Sequence, residues 1–200
     1  MKHIFQQGTN PAKPTLLMLH GTEGDENSLL AIASHIDPEA SVLSVRGNVS
    51  ENGMPRFFKR LAEGVFDMED LKIRTEELYE FIAQAAKEHN FNRENVIAIG
   101  YSNGANIAAN LLFTHEDSFK GAILHHPMVP NRETALPDLT TIPVFIGAGT
   151  NDPICSAEET TELEKLLTNA GAKVEVHWEE FGHQLTMPEV EAAKIWYDKL

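Results

Sequence analysis

Cysteine, positive charge and long apolar runs are all scarce in this chain, and each scarcity closes off a class of function. Cys155 is the only cysteine in 200 residues, so no internal disulfide can form, and a reducing compartment is the expected setting. Apolar runs such as Leu16 to Leu19 fall far short of the roughly 20 residues that a membrane-spanning helix needs. The opening residues, Met1-Lys2-His3-Ile4-Phe5-Gln6-Gln7-Gly8, lack the apolar stretch of a signal peptide. Lys and Arg total 16 against 30 Asp and Glu, a formal charge of −14, which repels phosphate backbones and anionic bilayers. The expectations are a cytoplasmic location, no nucleic-acid partner and no stable membrane association. A homodimer is compatible with all of this.

What is present suffices for a globular core. Hydrophobic residues make up 42 % of the chain, and no Pro/Ser-rich linker, repeat or low-complexity segment divides it, so one domain over residues 1–200 is expected. Strand-like apolar runs recur at Thr15–Leu19, Ser41–Val45, Val96–Ile99, Ala122–His125, Pro143–Ile146 and Val174–Trp178, with helical patterns between most of them. That alternation predicts an α/β fold whose central sheet is mainly parallel, with helices on both faces. Leu71, Thr75, Leu78, Ile82 and Ala85 recur at three- and four-residue steps, the buried stripe of an amphipathic helix. Ser156-Ala157-Glu158-Glu159 and Thr186-Met187-Pro188-Glu189 fit capping boxes, which start helices running to about Asn169 and Lys199. The stretch from Arg46 to Asp70 has no clear period and is expected to form a surface excursion over one edge of the sheet.

The segment Val96-Ile97-Ala98-Ile99-Gly100-Tyr101-Ser102-Asn103-Gly104-Ala105 carries the most chemistry. A Gly-x-Ser-x-Gly alone arises by chance in about three of a hundred chains of this composition. Here it joins a β-branched run to a small-residue helix former. A serine on so sharp a strand-to-helix turn is strained and exposes its hydroxyl, which makes Ser102 a candidate nucleophile.

A serine hydroxyl needs a base to take its proton and a third group to orient that base. Ligands of an open parallel sheet bind at the carboxyl ends of its strands, so the partners should follow apolar runs. Asp152 does, in Gly147-Ala148-Gly149-Thr150-Asn151-Asp152-Pro153, whereas Asp138 precedes its run and falls at the wrong end. Beyond Asp152 only His177 and His183 can serve as base. His177 alternates with Glu175 and Glu179 on one face of a strand whose other face carries Val174, Val176 and Trp178, the pattern of a surface residue. His183 follows Phe181-Gly182, past the strand end, and is the expected base. The N–H groups of Asn103 and of Thr22, in the glycine-rich loop Leu19-His20-Gly21-Thr22-Glu23-Gly24, are candidate donors to an anionic tetrahedral intermediate.

These motifs resemble the α/β-hydrolase superfamily, and within it the small phospholipase/carboxylesterase family, over nearly the whole chain. The resemblance rests on Leu-His-Gly-Thr, Gly-Tyr-Ser-Asn-Gly-Ala, Gly-Thr-Asn-Asp-Pro and Gly-His-Gln. Ser44-Val45-Arg46-Gly47-Asn48, Asn52-Gly53-Met54-Pro55-Arg56-Phe57-Phe58 and His125-His126-Pro127-Met128 look most like a bacterial subgroup linked to tolerance of hydroquinones and related aromatics. The resemblance implies a compact α/β-hydrolase fold and a serine esterase or thioesterase of small substrates that uses no metal and no cofactor, with Ser102, Asp152 and His183 at the triad positions. Many members have a glycine where this chain has Glu23, so a carboxylate at the site mouth is expected to disfavour anionic substrates.

The remaining expectations concern the pocket. Met54, Phe57, Phe58 and Met128 are candidate lining residues for an acyl or aromatic group, although Met54 and the two phenylalanines could equally seal the excursion to the core. His125 and His126 should point to opposite faces of their strand, which argues against a metal pair and for packing or pocket lining. Cys155 reads as a small buried hydrophobe. Only Pro127 to Thr141 lies where larger members of the superfamily insert a cap, too short for an independent lid, so no cap domain is expected. The predicted activity is a carboxylesterase acting on short-acyl or aromatic esters, with an acyl-protein thioesterase or lysophospholipase, and a non-catalytic ligand-binding protein of this fold, as alternatives.

Overall fold

A computed structural model describes all 200 residues. Its elements follow in the order β1 (His3–Gln6), β2 (Thr15–Leu19), α1 (Leu30–Ile36), β3 (Val42–Val45), β4 (Val49–Glu51), β5 (Met54–Arg56), β6 (Arg60–Ala62), β7 (Val65–Phe66), α2 (Met68–His89), β8 (Val96–Tyr101), α3 (Asn103–Thr114), β9 (Gly121–His125), β10 (Pro143–Gly149), α4 (Ala157–Asn169), β11 (Lys173–Glu179) and α5 (Met187–Tyr197). Seven strands form one sheet in the order β1-β3-β2-β8-β9-β10-β11. Only β1 runs antiparallel to its neighbour, so the other six direct their carboxyl ends to one side.

Alternation along the central strands divides two cores. Leu17 and Leu19 of β2, Ala98 of β8 and Leu124 of β9 pack with residues of α2, α3 and α4, whereas Leu16, Met18, Ile97, Ile99 and Ile123 pack with α1 and α5. Both faces of the sheet are thus covered by helices, as continuous apolar strands require. The predicted stripe of α2 is buried throughout, at Leu71, Thr75, Leu78, Ile82 and Ala85. Asp67 caps the start of α2, and Asn90, at φ 56, ends it in the left-handed region. Ser156 and Thr186 cap α4 and α5 at the predicted starts.

Residues 46–70 form two small hairpins, β4–β5 and β6–β7, and they lie over the carboxyl ends of the central strands rather than over an edge. The reason is a set of polar ties inward. Phe57 N–H donates to Asn103 Oδ1 at 2.7 Å, and Glu23 N–H donates to Pro55 O at 3.3 Å. Residues 126–142, where a cap would be inserted, contain no helix or strand. No helix is long and apolar enough to cross a membrane.

Candidate active site

The turns after β2, β8, β9, β10 and β11 converge on Ser102. Its backbone holds φ 50 and ψ −111, an arrangement that L residues rarely adopt and that the surrounding packing must enforce. A Cβ on Gly104 would stand 2.0 Å from Leu19 O, and one on Gly100 would stand 2.7 Å from the Ala105 backbone, so the turn closes this tightly only with glycine at both positions. Ser102 N–H donates to His125 O at 2.9 Å, tying the turn to the neighbouring strand.

His183 Nε2 lies 2.8 Å from Ser102 Oγ, and its Nδ1 lies 2.7 Å from Asp152 Oδ2. The three residues singled out from the sequence are therefore brought into one hydrogen-bonded chain. Asp152 is buried; its Oδ1 accepts from Ile154 N–H at 2.8 Å and Cys155 N–H at 2.9 Å. Burial alone would raise the Asp152 carboxyl, but the Cys155 and Ile154 donors together with His183 outweigh it and hold the group below the usual carboxylate value. His177 is elsewhere, half-buried on the edge strand β11 and bonded to Glu179.

Thr22 N–H has no acceptor within the protein, and Asn103 N–H, in the first turn of α3, is one of the donors that a helix leaves free. Both residues line the cavity above Ser102. His20 holds the Thr22 loop: its Nδ1 donates to Gly21 O at 2.6 Å, while its Nε2 accepts from Gly47 N–H at 3.0 Å. Burial keeps its ring below the ordinary histidine value, consistent with that neutral tautomer.

The cavity over Ser102 has a volume of about 290 Å³ and is bounded by Thr22, Arg56, Arg60, Tyr101, Met128 and Ile154 among others. Of the four predicted lining residues only Met128 takes part. Phe57 and Phe58 are fully buried, because the Phe57–Asn103 bond turns that strand end inward; Phe57 packs on His20 at 4.8 Å and Phe58 on Phe66 at 5.0 Å. Met54 lies outside the lining as well. Glu23 is exposed at φ 73 and does not reach the cavity, so it does not set the charge of the mouth. Arg56 and Arg60 do, opposed by Glu63 in the lining and by Glu51, which pairs with both arginines from behind. Arg56 Nη1 donates to Thr22 Oγ1 at 2.5 Å and Nε to Phe58 O at 3.2 Å, which leaves Nη2 without a protein partner. In the sequence Arg56 stands in Met-Pro-Arg-Phe-Phe, where the flanking apolar residues mask its place in the cavity wall. A larger cavity of about 580 Å³ adjoins this one across Gly64, Phe66 and Met128, and it contains none of Ser102, Asp152 and His183.

Two histidines that the sequence placed on opposite faces meet at one carboxylate. The strand ends at His125, and His126 swings to φ 53, so both rings reach Glu189. His126 Nε2 is 3.0 Å from Glu189 Oε2, and His125 Nδ1 contacts Glu189 Oε1. His126 Nδ1 is in turn 3.0 Å from Asp152 Oδ2. In a capping box the side chain of Glu189 would fold back on its own helix; Thr186 does cap the Glu189 N–H, but the carboxylate turns inward. Cys155 behaves as expected of a buried thiol: burial pushes it up to about 12, and Sγ donates to Pro127 O at 2.7 Å.

Residues 55–199 match the Dienelactone hydrolase family. The chain belongs to that family, within the α/β-hydrolase superfamily that the motifs resembled. It is 59 % identical over 197 residues, 98 % of each chain, to the Bacillus subtilis (strain 168) protein named "Putative hydrolase MhqD". The crystal structure of the Bacillus cereus carboxylesterase superposes with a TM-score of 0.99 at 65 % identity, covering 100 % of this chain and 94 % of that one. YahD, solved with malic acid, gives a TM-score of 0.95 at 34 % identity over 99 % of this chain and 98 % of its own. The chain is an esterase-type hydrolase of this family.

Proposed function

We propose that the protein is a serine carboxylesterase of small esters. Ser102 Oγ attacks the ester carbonyl while His183 Nε2 takes its proton, and the N–H groups of Thr22 and Asn103 receive the negative charge that forms on the carbonyl oxygen. His183 then returns the proton to the departing alcohol oxygen, leaving an acyl group on Ser102. Water, deprotonated by the same ring, attacks that acyl group and releases the acid and the free hydroxyl. Asp152 holds the imidazole with Nε2 facing the serine and stabilises it while it is charged.

The observation that carries this reading is the 2.8 Å approach of His183 Nε2 to Ser102 Oγ on a strained turn with free N–H donors beside it. The volume of about 290 Å³ favours a short-acyl or aromatic ester over a long lipid chain. The free edge of the Arg56 guanidinium, with Arg60 beside it, favours substrates that carry a carboxylate next to the scissile ester. Replacing Ser102 by alanine tests the whole reading: ester hydrolysis and labelling by a fluorophosphonate should both vanish. A variant that keeps near wild-type turnover would refute it.

A further inference from the structure

The cluster behind Asp152 has no part in the mechanism above, yet it is the most buried group of titratable side chains in the molecule. His126 and Glu189 are 2 % and 1 % exposed. His126 offers Nδ1 to Asp152 Oδ2 at 3.0 Å and Nε2 to Glu189 Oε2 at 3.0 Å and Gln184 O at 3.2 Å. Carboxylates and carbonyls only accept, and a neutral imidazole has a single N–H. Only the doubly protonated ring satisfies both sides; the neutral ring would set a lone pair against a carboxylate in a buried place.

We propose that His126 is a positioning residue for the hydrolysis, a buried imidazolium bridging Glu189 and Asp152 that fixes the Asp152 carboxylate and sets how readily the His183 ring takes a proton. The proposal rests on the reading of Ser102, His183 and Asp152 given above.

Asp152 Oδ2 accepts from two imidazoles at once, His183 at 2.7 Å and His126 at 3.0 Å, with the two rings 5.1 Å apart. With Oδ1 held by two backbone N–H groups, the carboxylate cannot rotate. The fold makes room for the bridge. A Cβ on Gly147 would stand 1.9 Å from Glu189 Oε1, so only glycine on β10 lets the carboxylate reach the histidines, and His126 N–H anchors to Gly147 O at 2.8 Å. The charged and titratable groups around the ring are Asp152 from the turn after β10, His183 from the turn after β11, Glu189 from α5, and Tyr101 from β8, whose ring is 6.1 Å away. His125 faces it through Glu189, and Arg56, Arg60 and Glu63 border the same cavity. Burial opposes a charged ring, but Glu189 and then Asp152 outweigh it and raise His126 above the ordinary histidine value.

The consequence is a like charge beside the base. A proton that His183 takes from Ser102 during turnover comes to lie beside the His126 imidazolium, the two rings being 5.1 Å apart. His126→Gln keeps a donor but removes the charge. For neutral substrates, the acid limb of its kcat/KM profile should move to higher pH by about one unit or more, as expected for charges about 5 Å apart. Its plateau kcat should fall roughly tenfold, the scale for losing a partner that orients a working group. A structural role alone would lower the amount of active protein and leave the limb where it is, and an unmoved limb overturns the proposal. Should the variant not fold, ¹⁵N-edited spectra of the wild-type imidazoles decide: just above the ordinary histidine value of 6.5 the ring assigned to position 126 should still carry protons on both nitrogens, and a singly protonated ring there overturns it. Ser102→Ala separates the two claims, because activity surviving there refutes the serine reading while the spectra still report on His126.

Discussion

The Asp152 carboxylate meets His183 Nδ1 at 2.7 Å through Oδ2, while its other oxygen is held by the N–H groups of Ile154 and Cys155. Orientation of the base is thus built into the turn that follows β10. Asp152→Asn should keep the fold and lose kcat on the order of 10⁴-fold, because an amide presents the wrong group to Nδ1 and turns the imidazole to the wrong tautomer. His177→Ala, on the edge strand, should leave kcat near the wild-type value. Steady-state kinetics on one activated ester check both, and a crippled His177→Ala would reassign the base.

Phe57 takes the second of the two roles its sequence context left open, sealing the excursion to the core. As a pocket residue it would govern KM. Fully buried against His20, it should govern stability instead, and Phe57→Ala should cost about 3–5 kcal/mol with little change in KM for the protein that remains folded. Denaturant titration alongside kinetics distinguishes the two roles; a raised KM at unchanged stability would return Phe57 to the pocket.

The fold was legible because its central strands are buried on both faces and read as unbroken apolar runs, because the edge strand β11 alternates apolar and polar residues, and because Ser102, Asp152 and His183 each follow a strand marked in one of these ways. The remaining edge and peripheral strands were not legible. β1 pairs on one side only and spells His3-Ile4-Phe5-Gln6, half polar, while β4 to β7 are too short to show a period. His126 escaped for a different reason: the face that a residue presents follows from strand geometry only inside the strand, and at φ 53 it has left that geometry. Arg56 and Glu189 look like surface charges in a sequence, since only the folded chain shows that an arginine 3 % exposed is tied to Thr22 and a glutamate in the first turn of α5 is tied to two histidines.

Glu189 makes the stability of the fold depend on acid. Burial would raise its carboxyl, but hydrogen bonds from His125 and His126 bring it down from 4.5 to about 2. A carboxyl held lower in the folded state contributes stability above its unfolded value, and that contribution is lost as pH falls from about 4.5 towards 2. His126, raised in the folded state, acts in the other sense: its contribution is complete below the ordinary 6.5 and is lost as pH rises through the raised value. Glu189→Gln should therefore cost roughly 3 kcal/mol near neutral pH, a fall in Tm on the order of 10 °C for a domain of this size. Its Tm should also depend less steeply on pH between 4.5 and 2 than that of the wild type. Calorimetry across that range tests this, and parallel acid slopes for the two proteins would contradict it.

Substrate choice should follow from the small volume and the guanidiniums of the cavity over Ser102. Each methylene buried contributes about 0.8 kcal/mol, close to fourfold in kcat/KM, for as long as there is apolar wall to receive it. At about 290 Å³ the cavity is at the small end of ligand sites, and the β6–β7 turn at Gly64 closes towards Met128, so this gain should end after a few carbons. Across p-nitrophenyl esters kcat/KM should peak at short acyl chains and show no rise at a lipid interface. Half-esters of dicarboxylic acids, which place a carboxylate near Arg56, should exceed neutral esters of equal length. Arg56→Met should remove that preference: loss of its bond to Thr22 lowers turnover of all esters alike, and KM for the half-ester rises by about tenfold more than KM for the neutral ester, the scale of one charge-assisted hydrogen bond. A steady rise through long acyl chains would instead favour a lysophospholipase, with the neighbouring 580 Å³ cavity holding the chain. An Arg56→Met enzyme that still prefers the half-ester would place carboxylate recognition elsewhere.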